Sequence, residues 1–315
     1  MRRGHPVSES PFLTTLHSWL TAMRMDRLGR TRPRQGHLCS GPRGVEELQM
    51  TEPRSHSAVV VAVPARLASS RLPGKVMADI AGRPMLRHVL ERCSKARGVA
   101  ALLVCSDSTE VLTAVRHWGF EALPTSRGIC SGSERLASVV EELVAAGGAA
   151  PDHTLVINVQ ADQPLLDPMI LENMIGLAAD TNSSEVWVPV ITPVYPLGPE
   201  KIHDPNVVKV LRSSDGRAIT FSRSALPHVR DMNPDQWHHC ATYWGHVGIY
   251  GYRADVLAGW SELPPSTMGQ LEKLEQLQLI EAGIPVATFS VEKDCLSVDT
   301  LAQLEQARAV MGPSP

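Results

Sequence analysis

Residues 58–75 read AVVVAVPARLASSRLPGK. The apolar run 58–63 is rich in Val and stops at Pro64, the pattern of a short strand buried on both faces of a parallel sheet. Arg66, Arg71 and Lys75 follow in one loop, with Ser69, Ser70, Pro73 and Gly74 among them. Ligands of open α/β sheets bind beyond the carboxyl ends of the strands. Three fixed positive charges at that place predict a bound polyanion, most simply a nucleoside triphosphate.

The loop is neither of the common phosphate loops. In the Walker A pattern Gly74-Lys75 would fit, but Ser69 stands at the leading Gly position and Val76 replaces the Ser/Thr that holds Mg²⁺. The dinucleotide fingerprint G-x-G-x-x-G is absent. Side chains, rather than a glycine nest, are therefore expected to hold the phosphates. A solvated surface loop would explain any one of the cations; three together after a buried strand favour a site.

Outward from this loop, strands and helices alternate, which predicts a parallel sheet with crossover helices. Helices are expected over 85–95, 111–118 (capped by Ser106 or Asp107), 133–146 (stopped by Gly147-Gly148), 268–282 (stopped by Gly283) and 300–311. Strands are expected over 100–105, 154–159, 185–190, 207–211, 247–252 and 286–291, with a turn at Ser214-Asp215-Gly216. Residues 1–57 are rich in Arg, Ser, Thr, Gly and Pro and read as a disordered extension or a mis-assigned start, with Met50 as an alternative initiator. An organelle transit peptide over 1–49 is weakened by Glu9, Asp26, Glu46 and Glu47. The folded domain is expected over 58–315.

The 315 residues are 43% hydrophobic and 4% aromatic, with a net charge of −3. That balance excludes the broad basic field and stacking platforms of nucleic-acid binders. No apolar stretch approaches the ~18 residues of a membrane span. The cysteines at 39, 93, 105, 130, 240 and 295 form no C-x-x-C pair, so reduced thiols and a cytoplasmic setting are expected.

Asp162 follows the strand LVINV, and Asp299 precedes the last helix. Mg²⁺ takes one or two carboxylates plus phosphate oxygens and water. As alternatives, Asp299 is a helix N-cap and Asp162 a turn residue before Pro164. Ser131, Gly132 and Ser133 open a helix and face a ligand or merely cap it. Gly128-Ile129-Cys130-Ser131-Gly132 imitates a nucleophile elbow, but Pro124 and 125–127 leave little room for its strand. Arg223, His246, Tyr250, Glu275 and Gln276 are polar groups in apolar settings. No second His stands at i+3 or i+4 from His246, which disfavours zinc.

Taken together, PARLASSRLPGK, GRPML, SGSERLA, NVQADQP, FSR, HVGIYGY and LEKLEQL resemble the CMP-Kdo synthetases, in order and over nearly everything beyond the N-terminal extension. The resemblance implies a nucleotide-diphospho-sugar-transferase-like (Rossmann-like) three-layer α/β fold with a mainly parallel sheet and a smaller sugar-binding and dimerisation part. It implies a homodimer, Mg²⁺, and transfer of CMP from CTP to 3-deoxy-manno-octulosonate (Kdo) with release of pyrophosphate. Arg66, Arg71 and Lys75 would then hold the phosphates, and Asp162 and Asp299 the Mg²⁺. Ala65, Arg66, Ser131, Gly132, Ser133 and Gln160 would face the nucleotide. Gln160, Arg223, His246, Tyr250, Glu275 and Gln276 would surround the sugar acid.

The chain departs from the family pattern in places. The usual QGDEP reads Gln160-Ala161-Asp162-Gln163-Pro164, and a Gln at position 163 also occurs in relatives acting on an 8-amino analogue. Ile129-Cys130 replaces His-Gln, Ser133 replaces Thr, Gly245 stands where a basic residue is common, and Leu301 replaces Pro. Another ulosonic acid, or a non-catalytic nucleotide-binding module, are the competing expectations. Retention of both Asp162 and Asp299 speaks against the latter.

Overall fold

The computed structural model describes residues 58–69, 71–129, 131–181 and 188–312. The expected extension at 1–57 lies outside them, as do 182–187, which hold the first half of the strand expected over 185–190. The strands are β1 (Ala58–Ala65), β2 (Asp79–Ile80), β3 (Arg83–Pro84), β4 (Ala101–Ser106), β5 (Glu121–Pro124), β6 (Thr154–Asn158), β7 (Val190–Pro196), β8 (Lys209–Arg212), β9 (Ala218–Ser222), β10 (Trp244–His246), β11 (Tyr250–Arg253) and β12 (Val286–Ser290). The helices are α1 (Met85–Cys93), α2 (Thr109–His117), α3 (Gly132–Ala137), α4 (Val140–Gly147), α5 (Pro168–Thr181), α6 (Ala254–Ala258), α7 (Thr267–Glu272), α8 (Leu277–Glu281) and α9 (Leu301–Met311).

β1 is buried along its length except at Pro64. It pairs in parallel with β4 on one side and β6 on the other. The main sheet runs β5-β4-β1-β6-β11-β7-β10-β8-β9, with β12 added in parallel to β7. Among the described strands of this sheet, only β9, β10 and β11 run against the direction of β1. Successive β1 side chains point to opposite faces. Val59, Val61 and Val63 join a core with Leu86, Val89 and Leu90 of α1, Val111 and Val115 of α2, and Ile170, Leu171 and Met174 of α5. On the other face α4 comes so close that a Cβ on Gly147 would lie 2.9 Å from Val60 Cγ2. The result is three layers, with the sheet in the middle.

Several local expectations change. Ser108, not Ser106 or Asp107, caps α2, its hydroxyl accepting from Val111 N at 3.4 Å. The helix expected over 133–146 is two helices, α3 and α4. That expected over 268–282 breaks at Lys273, which takes a left-handed conformation (φ 56°) and leaves Glu275 and Gln276 between α7 and α8. Of the strand expected over 247–252 only 250–252 is strand, as part of β11, which pairs with β6 and β7, while 247–249 link it to β10. Thr300 caps α9 in a capping box with Gln303, so Asp299 is not the N-cap and is released for the cleft. The residues 125–129 between β5 and the start of α3 are loop, so no strand leads into the elbow-like motif.

Candidate active site

The cationic loop leaves the carboxyl end of β1 and is closed by Gly74 N donating to Leu67 O at 3.0 Å. Gly74 adopts a left-handed conformation (φ 66°) and starts the 3₁₀ turn Lys75–Met77, which directs Lys75 back under the loop. There the Lys75 ammonium donates to Asp162 Oδ2 at 2.6 Å and Asp299 Oδ1 at 2.7 Å. Arg71 reaches the other oxygen of Asp299 at 3.0 Å. The two acidic segments meet because Val298 N donates to Asp162 O at 2.9 Å. Burial alone would lower the Lys75 pKa, but the charges of Asp162 and Asp299 outweigh it and raise it.

A cavity of about 190 Å³ lies over this cluster, lined by Arg66, Arg71, Lys75, Gln160, Asp162 and Asp299 among others. A second of about 90 Å³ is lined by Ala65, Arg66, Ser131, Gly132, Arg135 and Gln160, with Pro64 and Ile129. Pro64, Arg66 and Gln160 border both. A Cβ on Gly132 would come within 3.3 Å of Pro64 and 3.5 Å of the Asn158 and Gln160 amides, so glycine permits this close approach. Arg135 is buried and ties the loop before α3 by bonding Thr125 Oγ1, Asp107 Oδ2 and Ile129 O.

Ser133 requires a correction. It has no solvent exposure and its hydroxyl points inward, to Tyr252 Oη at 2.8 Å, Glu275 Oε1 at 3.0 Å and Asn158 Nδ2 at 3.4 Å. A hydroxyl has one donor and two acceptor sites. Donation to Glu275 and acceptance from Tyr252 and Asn158 saturate it, so the Ser133 side chain supports the nucleotide-side loop from beneath rather than facing a ligand. Asn158 Oδ1 in turn accepts from Gln160 Nε2 at 3.1 Å. Burial raises the Glu275 pKa, with Ser131 and Ser133 acting against it. Its Oε2 is buried without a hydrogen-bond partner.

The remaining expected sugar residues extend from this node. Tyr250 stacks on Tyr252 at 5.6 Å between ring centroids, and His246 lies 5.2 Å from Tyr250. His246 Nε2 meets Thr192 Oγ1 at 3.0 Å, and burial pushes its pKa down to about 3. Gln276 is buried beside Glu275. Arg223 stands on the α7 side: its Nε donates to Glu272 O at 2.7 Å and its Nη1 to Pro205 O at 2.9 Å. Gly245 pairs with Tyr195 and a Cβ there would fall 2.5 Å from Tyr195 Cζ. A side chain at 245 would thus point to the face opposite His246, away from the site.

Tyr252, Asn158, Lys209 and Glu272 were not anticipated. Tyr252 shares a strand face with Tyr250, and Asn158 stands two residues before Gln160, so period-two spacing carried their signal. Lys209 was a lone cation in the apolar run VVKV. Glu272 had no such mark. The assembly offers a strip of cations and two converging hard carboxylates beside a second, mainly polar hollow.

A family model described as cytidylyltransferase matches residues 60–293. The chain is 38% identical over 252 residues to the 3-deoxy-manno-octulosonate cytidylyltransferase of Myxococcus xanthus (strain DK1622), covering 80% of this chain and 96% of that one. It is 38% identical over 255 residues to the Escherichia coli protein of that name, covering 81% and 96%. A solved structure of CMP:2-keto-3-deoxy-manno-octonic acid synthetase complexed with CTP superposes with a TM-score of 0.72 at 38% identity, covering 81% of this chain and 98% of that one. Fold, family model and relatives agree: the chain belongs to the cytidylyltransferase family, among the 3-deoxy-manno-octulosonate cytidylyltransferases.

Proposed function

We propose that the protein transfers CMP from CTP to the anomeric hydroxyl of Kdo, releasing pyrophosphate. The observation that carries this reading is the meeting of Asp162 and Asp299 on one cation at the floor of a cleft edged by Arg66 and Arg71. Such a floor suits a triphosphate and its counter-ions. Arg66, Arg71 and Lys75 neutralise the phosphates and the charge that grows on the leaving pyrophosphate. Ala65, Ser131, Gly132 and Gln160 line the adjoining hollow for ribose and cytosine. Arg223, His246, Tyr250, Glu275, Gln276 and Gln160 enclose the sugar acid, with Arg223 paired to its carboxylate.

The donors suit Mg²⁺. Both are carboxylates, they already converge on a positive charge, and a small hard cation fills its other positions with phosphate oxygens and water. Asp162 and Asp299 would hold it, and when bound it supplies charge neutralisation and acidifies a coordinated hydroxyl. Phosphoryl transfer needs in-line placement more than a protein nucleophile. Accordingly the residues here orient, neutralise and exclude water. We also propose a homodimer working in the cytoplasm; no described helix is long and apolar enough to cross a membrane.

One observation favours a second reading, the same chemistry on the 8-amino analogue. Gln163 stands where the family has Glu, the departure found in relatives that act on that analogue. The test is pyrophosphate release with Mg²⁺, CTP and either Kdo, 8-amino-Kdo or sialic acid. Release with Kdo supports the first reading and preference for 8-amino-Kdo the second; release with none of the three overturns both.

A further inference from the structure

Lys209 has no solvent exposure, yet no step above uses it. Lysine is almost never fully buried unless its ammonium is engaged. Here Nζ donates to Asp204 O and Val207 O, both at 2.7 Å. These two carbonyls bound a single turn. Val207 N closes it onto Asp204 O at 3.2 Å, and Asn206 bonds Asp204 Oδ1 through its backbone N at 2.8 Å and its Nδ2 at 3.0 Å. Of the two carbonyls between them, that of Pro205 accepts from Arg223 Nη1.

Arg223 is gripped from the other side by Glu272. That residue's carbonyl takes Arg223 Nε, its Oε2 takes the Arg223 backbone N–H, and its Oε1 takes Ser222 Oγ at 2.7 Å. The guanidinium is therefore aimed by two main-chain carbonyls. Among the described residues no carboxylate forms an ion pair with it, which leaves its charge for a ligand. A carbonyl can aim a guanidinium only if its own peptide is held still. The peptide that carries the Pro205 carbonyl is held at its N–H, which belongs to Asn206 and donates to Asp204 Oδ1 at 2.8 Å. The two ends of the turn are held by Lys209, whose ammonium takes the Asp204 carbonyl just before Pro205 and the Val207 carbonyl two residues after it.

We propose that Lys209 is a positioning residue of the sugar subsite: by tying the Asp204 and Val207 carbonyls together, it fixes the Pro205 carbonyl that aims Arg223 at the carboxylate of the sugar acid. This rests on the reading of Arg223 as the carboxylate partner. Lys209 touches no substrate; it acts through the turn at 204–207.

The test is steady-state kinetics on Lys209→Met, Arg223→Ala, their double variant and Asn206→Ala, varying the sugar acid and CTP separately. Lys209→Met is expected to raise KM for the sugar ~10-fold and leave KM for CTP within ~2-fold, an effect of ground-state binding on one substrate. The double variant should be no worse than Arg223→Ala alone, since residues acting through one another are not additive. Asn206 is exposed, so Asn206→Ala loosens the same turn with little risk to folding, and should raise the sugar KM ~2–3-fold by the loss of one hydrogen bond. If Lys209→Met does not fold, Asn206→Ala alone and combined with Arg223→Ala decides the matter by the same criteria. Equal rises in both KM values, or effects that multiply in the double variant, overturn the proposal. If Arg223→Ala leaves the sugar KM unchanged, the Arg223 reading fails and takes this proposal with it. If Arg223→Ala weakens sugar binding while Lys209→Met and Asn206→Ala do not, only the role of Lys209 is refuted.

Discussion

Lys75 and Asp162 form a contact of 2.6 Å in which each side chain is mostly buried, and the same ammonium also meets Asp299 at 2.7 Å. One monovalent cation thus occupies the place where both carboxylates point. A dication seeking the same oxygens must displace it. Lys75→Met is therefore expected to tighten Mn²⁺ binding ~10-fold, since a unit charge beside the ligands is removed. Electron paramagnetic resonance titration of Mn²⁺ checks this without turnover. Weaker binding in the variant would show that the lysine organises the site rather than competing for it.

Activity should move in the opposite direction. Asp162→Asn removes a hard donor and leaves Lys75 with less to neutralise it. Turnover with Kdo is expected to fall ~10²-fold or more, the scale of losing one electrostatic stabiliser of the transition state. Chelation by EDTA should do the same to the unmodified protein and be reversed by Mg²⁺. Full turnover by Asp162→Asn would rule out this carboxylate as a metal ligand.

His246 sets an acid-side limit on stability. Burial holds its folded-state pKa at about 3, against about 6.5 for a free histidine. Between these values the unfolded chain binds more protons than the native one. Stability contributed by neutral His246 is thus present above pH ~6.5 and lost as pH falls toward 3. His246→Gln should flatten the decline of Tm between pH 6.5 and 4. The imidazole also stays neutral through neutral pH, so a pH–rate inflection near 6.5 that disappears in His246→Gln would contradict this assignment.

The Ser133 node can be tested by non-additivity. Tyr252→Phe removes one donor and should cost ~1 kcal/mol. Ser133→Ala leaves the Tyr252 hydroxyl and the Asn158 amide short of a partner in the interior, and should cost ~1–3 kcal/mol. The double variant is expected to cost less than the sum, as measured by chemical denaturation. Strict additivity would mean the two hydroxyls do not share a bond.

Gly245 separates packing from function. Gly245→Ala places a Cβ against the Tyr195 ring and should destabilise by ~1–3 kcal/mol. Because that position faces away from His246, the sugar KM should stay within ~2-fold of the unmodified protein. A selective rise in the sugar KM would show that the departure from a basic residue reaches the site.

Much of the architecture was legible from local pattern. The apolar run at 58–63, the cations after it and the alternation of periods two and 3.6 are properties of short stretches, and each survives folding unchanged. The breaks in the two long helices were not legible, because apolar spacing runs on across Ser138 and across Lys273. At Lys273 a left-handed residue ends α7, and the chain turns to bring Glu275 against Ser133. Asp299 was equally suited to capping and to the cleft until Thr300 took the cap.

By itself, then, the sequence determined the sheet's central strand, the polyanion-facing loop and, through several ordered motifs, the family. Only the tertiary structure decided which polar groups look outward. Ser133 is turned into the interior, Asp162 and Asp299 are brought onto one lysine, and Lys209 is buried behind Arg223. The reason is physical: strand and helix signals depend on neighbours along the chain. The direction of a buried polar side chain depends on donors and acceptors supplied by segments far from it in sequence, which must all be satisfied at once.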